Sequence, residues 1–337
     1  MMTLFGDPTV WLPLVFAALM GLAILVYVVL DGYDLGVGIL FAFAEAEEKD
    51  RMVASIGPFW DANETWLVMA IGLLLVAFPV AHGVILSALY IPVAIMLLGL
   101  ILRGVSFEFR AKVRAERKGA WNLAFFSGSL MTALAQGYML GRYIMGLETT
   151  AMAIAFGLLT ALCVAAGYGF IGAAWLIHKT EGQLQRKAVR WAQATLGFVA
   201  LGFAAISLAS PFASPRIFEK WFSIPEFLLL APLPLGSAAV FALTWLVLRR
   251  LPTANDDYNW VPFLGGVGLF VLAFTGLAYS FYPYVVPDRL TIYEAASAPE
   301  SLMIILVGTL VVMPVIMAYS VFAYVVFRGK ASELRYD

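Results

Sequence analysis

The chain has 337 residues, of which 62% are hydrophobic and 13% are charged, and its formal net charge at pH 7 is −1. About a quarter of the residues in a soluble globular protein are charged, so this composition excludes that class, and the near-neutral charge gives no support to nucleic-acid binding. The apolar runs are about 20 or more residues long, which predicts membrane-spanning helices and excludes the shorter alternating strands of a membrane β-barrel. The single cysteine, Cys163, excludes an internal disulfide.

Nine apolar segments are long enough to cross a bilayer, and they predict an all-α polytopic membrane protein with one integral membrane domain over residues 1–337. The first segment has no Lys or Arg before its apolar run, unlike a signal peptide, so we expect it to remain as a helix. The segments are approximately 10–44, 52–78, 82–107, 119–146, 150–178, 187–210, 226–249, 259–283 and 301–328.

The basic residues predict how these segments are oriented. With the N-terminus outside, all but four of the 21 Lys and Arg residues fall in cytoplasmic segments, and the exceptions are Arg142, Arg216, Lys220 and Arg289. Cytoplasmic loops are enriched in Lys and Arg, so we expect an outer N-terminus and a cytoplasmic C-terminus. Short loops favour antiparallel neighbours, and two four-helix bundles with one peripheral helix are the simplest arrangement of nine.

Two pairs of acids interrupt the first two apolar segments. Asp31 and Asp34 lie in the first segment, and Asp61 and Glu64 lie in the second. Residues three apart share a helix face, and counting along each helix from the loop that joins them places both pairs about 15 Å deep. Because the two segments are antiparallel, we expect four carboxylates at one depth unless the two faces point apart.

Acids inside a membrane are costly and need a functional or structural reason. Four ionised carboxylates cannot lie together without cations or shared protons, which favours a proton relay. The alternative is a structural network in which the acids brace the helices and bond the backbone or Asn63. Arg103 could pair with this cluster, pair with Glu108, or extend its charge to the membrane interface. Gly32, Gly36 and Gly38 predict close packing of the first helix.

The two histidines are placed poorly for cofactor binding. His82 follows Pro79 at a predicted outer helix end, and His178 ends the fifth segment at the inner surface. A membrane haem commonly needs a histidine inside a bundle, so we expect this chain to ligate no haem, and the scattered methionines favour packing over metal binding. The sequence has no phosphate-binding glycine loop, no nucleophile elbow and no histidine cluster with metal-ligand spacing.

Four segments together carry a resemblance to a known family. DGYDLGVGIL in the first segment, GPFWDANETWLV in the second, RGVSFEFR after the third, and SFYPYVVP before the last outer loop resemble subunit II of the cytochrome bd-type quinol oxidases. The resemblance runs over the whole chain, and the nine predicted helices with an outer N-terminus fit it. The short loops resemble the compact, cyanide-insensitive branch of the family.

The resemblance implies a subunit of a respiratory complex in the bacterial cytoplasmic membrane that oxidises quinol and reduces O₂ to water with cytoplasmic protons. It implies a heterodimer with a subunit I that carries the quinol site and three haems, two b-type and one d- or b-type. Subunit II would ligate no cofactor and would stabilise this partner, in contact with membrane lipid. A small single-helix accessory subunit, and a structural quinone held by subunit II, occur in some members.

The resemblance also implies roles for single residues. The acid of the FWD-type motif, here Asp61, would line a cytoplasmic proton path at the subunit interface, with Trp60 beside it. The last tryptophan of that motif, here Trp66, would border a lateral O₂ route. Asp31 and Asp34 match positions tied to the integrity of the complex. Our hypothesis is that Asp61 is the main relay group and that the supporting acids are Glu64, Asp34 and Asp31.

Two other functions stay open at this stage. Buried acids on many helices would also suit a proton- or ion-coupled transporter, and the acids would also suit a purely structural scaffold subunit. A transporter usually has helices broken by Pro or Gly at its binding site. The segments that carry the acids are expected to be continuous helices, which favours the oxidase subunit.

Overall fold

The structure is a computed structural model that describes residues 6–213 and 215–331. Residues 1–5, 214 and 332–337 lie outside the described part. They include the first residues of the predicted outer N-terminus. They also include Arg335, which belongs to the predicted cytoplasmic C-terminus.

The described residues are almost entirely helical. The helices are α1 Pro8–Leu40, α2 Ala46–Ile56, α3 Trp60–Ala77, α4 Pro79–Lys112, α5 Lys118–Ile144, α6 Ala151–Lys179, α7 Gly182–Ala213, α8 Pro215–Phe222, α9 Glu226–Leu230, α10 Pro232–Leu248, α11 Val261–Phe281, α12 Ile292–Ala295 and α13 Pro299–Val326. Two short strands, β1 Tyr284–Val286 and β2 Leu290–Thr291, pair antiparallel in the loop before α12.

Within the described residues, nine segments are long and apolar enough to cross a membrane. They are formed by α1, α3, α4, α5, α6, α7, α9 with α10, α11 and α13. The prediction of an all-α polytopic membrane protein is therefore confirmed, with nine candidate spans. The predicted third segment, 82–107, is longer in the structure, because α4 begins at Pro79 and bends at Leu89, three residues before Pro92.

The prediction that 52–78 is one continuous helix is wrong. Residues 57–59 separate α2 from α3. Pro58 has no N–H to donate to the carbonyl one turn earlier, and Phe59 has φ −121° and ψ −32°, so the helical hydrogen-bond ladder stops there. Asp61 consequently lies in the first turn of α3, and the depth counted along an unbroken helix does not apply to it.

Helix α1 is the central helix of the fold. It packs against α3, α5 and α6 and makes lighter contacts with α11 and α13. A side chain at Gly36 would meet the backbone of Tyr168 and Gly172 on α6, and one at Gly38 would meet Ser129 on α5. Glycine in this helix therefore allows backbones to approach closely, as predicted for Gly32, Gly36 and Gly38.

The short helix α2 is fixed on two sides by ion pairs. Asp50 pairs with Arg110 at 2.7 Å and with Lys118 at 3.1 Å, and Glu48 pairs with Lys187 of α7 at 2.9 Å. Partial burial alone would raise the pKa of Asp50, but the hydrogen bonds and charges of Arg110 and Lys118 outweigh it and hold that pKa below its ordinary value. Helix α2 thus connects the α4–α5 hairpin to α7.

The end of α13 is clamped to the end of α6. The Lys179 ammonium donates to the carbonyl oxygens of Phe327 and Gly329, and the Ala331 N–H donates to the Lys179 carbonyl at 2.8 Å. The same ammonium lies 5.4 Å from the ring centre of Phe59. A cation at these carbonyls satisfies groups that a helix C-terminus leaves without intrahelical partners. We name the end at which α1, α6 and α13 terminate the basic end.

Candidate functional site

Arg103 of α4 joins acids from two other helices. Its Nη1 donates to Asp31 Oδ1 at 2.6 Å, and its Nη2 donates to Glu64. Asp31 is 0% exposed, whereas the Glu64 side chain is 29% exposed. Of the three interactions that the sequence left open for Arg103, pairing with the acids is the one that forms. The guanidinium compensates a buried carboxylate on one side and reaches a surface carboxylate on the other.

Asn63 organises a second group of polar atoms. Its Nδ2 donates to Asp34 Oδ2 at 2.8 Å and to the Tyr33 hydroxyl at 2.9 Å. The Tyr324 hydroxyl donates to Asn63 Oδ1 at 3.2 Å, and the two tyrosine oxygens are 2.6 Å apart. A hydroxyl has one hydrogen, and that of Tyr324 is used on Asn63, so Tyr33 must donate to Tyr324. We name this closed cycle the Asn63–Tyr33–Tyr324 ring.

An aromatic layer separates this ring from the basic end. The Phe59 ring stacks on Tyr324 with centroids 4.6 Å apart, and the Trp175 ring stacks on Tyr33 at 4.2 Å. The Lys179 ammonium lies over both Phe59 and Trp175. Cations are attracted to aromatic faces, so these two rings and the carbonyl groups of Phe327 and Gly329 hold Lys179 in place. The arrangement closes the basic-end side of Asp34 with apolar surface and the Lys179 amine.

Asp61 is placed apart from the other three acids. It is exposed in the first turn of α3, where the helix dipole favours a negative charge. Asp31, Asp34 and Glu64 gather around Arg103 and Asn63. Three of the four carboxylates expected in one cluster therefore lie together, and Asp61 does not. Asp61 lies three residues before Glu64 on α3, so the two acids reach the surface on neighbouring turns.

The two tryptophans of the second segment have different surroundings. Trp60 is half-buried, with its ring 5.0 Å from that of Phe107 on α4. Trp66 is buried and packs with Tyr27 of α1 and Met313 of α13. The Trp66 Nε1 has no hydrogen-bond partner in the described part of the chain. Trp60 can thus contact a neighbour at the surface, whereas Trp66 faces the interior of this chain.

A third polar group lies one turn along α1 from Asp31. Gln136 Nε2 of α5 donates to the Tyr27 hydroxyl at 2.6 Å, and the Tyr168 hydroxyl of α6 donates to Gln136 Oε1 at 2.6 Å. The sequence reasoning missed this group. Gln136 is a polar residue inside an apolar run and gave a usable signal, whereas tyrosines in a membrane helix do not reveal where their hydroxyls bond.

The histidines lie at helix ends, as the sequence suggests. His82 is in the first turn of α4, and the His178 Nδ1 lies 3.0 Å from Asn259 Oδ1. Among residues 6–213 and 215–331, no three or more His, Cys, Asp or Glu side chains are grouped so as to hold a metal ion. A haem takes axial ligands such as histidine from within its pocket, so these two residues do not fit one.

Comparison with known proteins identifies the family. Residues 12–327 match the family of cytochrome bd terminal oxidase subunit II. The chain belongs to this family. It is 31% identical over 331 residues to cytochrome bd ubiquinol oxidase subunit 2 of Bacillus subtilis (strain 168), covering 90% of this chain and 92% of that protein. It is 25% identical over 362 residues to cytochrome bd-I ubiquinol oxidase subunit 2 of Escherichia coli (strain K12), covering 94% of each.

The fold agrees with this family. A chain in the structure of bd oxidase from Geobacillus thermodenitrificans superposes with a TM-score of 0.77 at 16% sequence identity, covering 95% of this chain and all of that one. As a member of the subunit II family, the chain is a multi-pass membrane subunit of a bd-type quinol oxidase, which is an oxidoreductase complex. The resemblance inferred from the four sequence segments is confirmed.

Proposed function

We propose that this chain stabilises the haem-bearing subunit I of a bd-type quinol oxidase and helps to conduct protons from the cytoplasm to the haem that reduces O₂. Membership of the subunit II family carries this proposal. The complex would lie in the bacterial cytoplasmic membrane, with quinol and O₂ as substrates. The partner would hold all three haems, which agrees with the positions of His82 and His178 at helix ends.

The proposed proton path begins at Asp61, with Glu64, Asp34 and Asp31 in support. Asp61 is exposed at the start of α3, beside the break at 57–59, and Glu64 is partly exposed one turn further on. The exposure of two ionisable groups on one helix face supports a path that would pass protons along a subunit interface. Arg103 connects Glu64 to the buried Asp31.

The proposed architecture places the N-terminus outside and the basic end in the cytoplasm. The distribution of Lys and Arg supports this orientation. We also propose two four-helix bundles, one of α1, α3, α4 and α5 and one of α6, α7, α10 and α11, with α13 at the periphery. Packing of α4 on α5, α6 on α7, α10 on α11 and α11 on α6 supports this grouping, as do the light contacts of α13 with α1 and α3. The two bundles would meet where α1 and α5 pack on α6.

The variant Asp61→Asn tests the relay. The amide keeps the size of the side chain but cannot carry a proton, so O₂ consumption by the purified complex should fall by about a hundredfold while its haem spectrum stays normal. The matched control is Glu47→Gln, an exposed acid on α2. Normal turnover with normal haem content would remove Asp61 from the path.

A scaffold role is the second candidate, and the burial of Asp31 and Asp34 favours it. Both acids are nine-tenths or more buried and hold groups from α3 and α4. This role predicts that Asp34→Asn lowers the haem content of the complex while turnover per haem stays unchanged. Loss of haem in Asp61→Asn would likewise assign Asp61 to the scaffold.

A further inference from the structure

Four buried polar atoms close to the acid cluster have no partner among the described residues. They are Asp31 Oδ2, Asp34 Oδ1, Trp66 Nε1 and Ser320 Oγ. All four residues are more than nine-tenths buried. Buried polar groups in proteins nearly always have a hydrogen-bond partner, which is another protein group or an ordered water. Four exceptions in one region therefore need a common explanation.

The Asn63–Tyr33–Tyr324 ring fixes the relative levels of the three helices that carry these atoms. The ring and Asp34 bring α1, α3 and α13 into contact at one level. One turn further from the basic end lie Asp31 on α1, Trp66 on α3 and Ser320 on α13. α3 runs antiparallel to α1 and α13. One turn, about 5 Å, towards the C-terminus of α3 and towards the N-termini of α1 and α13 therefore leads in the same direction, away from the basic end.

Both sides of this layer are closed. The ring lies on the side of the basic end. On the other side, Trp66 packs with Ala23, Tyr27, Ala70 and Met313, and the Tyr27 hydroxyl, which accepts from Gln136, lies one turn from Asp31. The four polar atoms belong to buried residues on α1, α3 and α13 at or between these two levels.

The Ser320 hydroxyl lacks the hydrogen bond that other buried hydroxyls of this chain make to their own helix. Ser129 donates to the carbonyl of Phe125 one turn earlier at 2.8 Å, and Thr309 of α13 donates to that of Ile305 at 2.9 Å. Buried hydroxyls in helices commonly bond in this way. The Ser320 hydroxyl makes no such bond, which leaves both its donor and its acceptor capacity for the layer between the helices.

The chemistry of the four atoms selects the ligand. The carboxyl oxygens of Asp31 and Asp34 accept, or donate where the acid holds a proton, the indole N–H of Trp66 donates, and the hydroxyl of Ser320 does either. Water both donates and accepts, and a buried water typically makes about three hydrogen bonds to such groups. A cation is disfavoured, because Arg103 already lies against Asp31 and an indole N–H offers no lone pair.

We propose that α1, α3 and α13 enclose a hydration site in which ordered water bridges Asp31, Asp34, Trp66 and Ser320. The water connects the two acids, which have no direct bond to each other, and Arg103 continues the connection to Glu64 at the surface. The site does not depend on the proposed proton path, although it would extend that path into the interior.

Density maps of the assembled oxidase complex test the site. At a resolution that shows other internal waters, we expect density within hydrogen-bonding distance of Asp31 Oδ2 and Ser320 Oγ. Ser320→Leu fills the space and should remove this density. Thr309→Val is the matched control on α13, since its hydroxyl is already bonded to its own helix, and it should leave the density in place.

X-ray radiolysis of the wild-type complex gives a second measurement that needs no variant. Hydroxyl radicals formed from bound water oxidise neighbouring side chains, so Met313 beside Trp66 should be oxidised several-fold faster than Met96, which is equally buried. Equal oxidation of the two, or a map that resolves other internal waters but none here, overturns the proposal. Either result would leave the proposed role of Asp61 open to its own test. Conversely, normal turnover of the Asp61→Asn enzyme would not argue against the hydration site.

Discussion

Asn63 uses its whole amide group in the structure. The Nδ2 group donates to Asp34, to the Tyr33 hydroxyl and, at 3.3 Å, to the Leu30 carbonyl, and the oxygen accepts from Tyr324. An aspartate at this position would replace both donors with an acceptor and would add a negative charge beside Asp34, which is costly in a membrane interior. The amide therefore accounts for the orientation of Asp34 and for the attachment of α13 at this level.

Tyr324→Phe tests the energetic contribution of the ring. The change leaves the buried Asn63 oxygen without its donor and the Tyr33 hydroxyl hydrogen without its acceptor, so we expect a loss of about 1–3 kcal/mol of stability. Thermal unfolding of the purified complex measures this loss. Tyr319→Phe is the control, because Tyr319 is 60% exposed on the same helix. Equal effects of the two variants would show that the ring contributes nothing.

The acid pairs and Arg103 could be predicted as a site because charged residues are conspicuous in apolar segments. Tyr324 could not, because it contacts Tyr33 across 291 residues of sequence and a tyrosine in a membrane helix is ordinary. Helix periodicity alone could not predict the outward position of Asp61, since it relates Asp61 to Glu64 but does not say which face of α3 meets α1. Only the family resemblance implied a position at an interface.

At the scale of elements, the nine spans were predictable because apolar length and basic asymmetry are properties of the sequence alone. Gly57 and Pro58 indicate the helix break within 52–78. The apolar residues on both sides of them nevertheless favoured one continuous helix. The central position of α1 depends on which faces pack together. Glycines in α1 indicated that it packs closely, but not that α6 is its neighbour.

Gly36→Ala tests the contact between α1 and α6. The added methyl group would meet the backbone of Tyr168, which cannot move as a flexible side chain can, so the helices must separate. We expect a loss of about 1–3 kcal/mol, measured as a lower thermal midpoint of the complex. Gly308→Ala on α13 is the control, since nothing lies within 4 Å of its added methyl. A midpoint lowered equally by both would refute a specific α1–α6 contact.

The ion pairs of α2 predict a pH dependence. The pKa of Asp50 is lower in the folded chain than its ordinary value of about 3.9. The ion pairs of Asp50 therefore stabilise the folded chain fully above that pH, and this stabilisation is lost as the pH falls through the lower folded pKa. Asp50→Asn should lower the thermal midpoint at pH 7, and its difference from wild type should shrink below about pH 4. Glu47→Gln, an exposed change on the same helix, should show no such difference, and a constant difference at all pH values would contradict the assignment.

At the scale of the whole molecule, the orientation in the membrane can be tested with single cysteines. In a Cys163→Ala background, Glu148→Cys in the α5–α6 loop should react with an impermeant thiol reagent in intact cells. Glu47→Cys on α2 should react only after the cells are opened, because the basic end is proposed to be cytoplasmic. Both positions are exposed, so accessibility within the fold is matched. The reverse pattern would invert the proposed topology.

The attachment of α13 has a consequence for how the protein is made. Asp31, Asp34 and Asn63 enter the membrane with the first two spans, but Ser320 and Tyr324 arrive with the last one. Until the ribosome has released that final segment, the Asn63 oxygen lacks its tyrosine donor and Lys179 lacks the carbonyl groups of Phe327 and Gly329. A chain truncated before α13 would therefore expose a polar defect in the bilayer that membrane quality control can recognise. The polar centre is therefore complete only once α13 has entered the membrane.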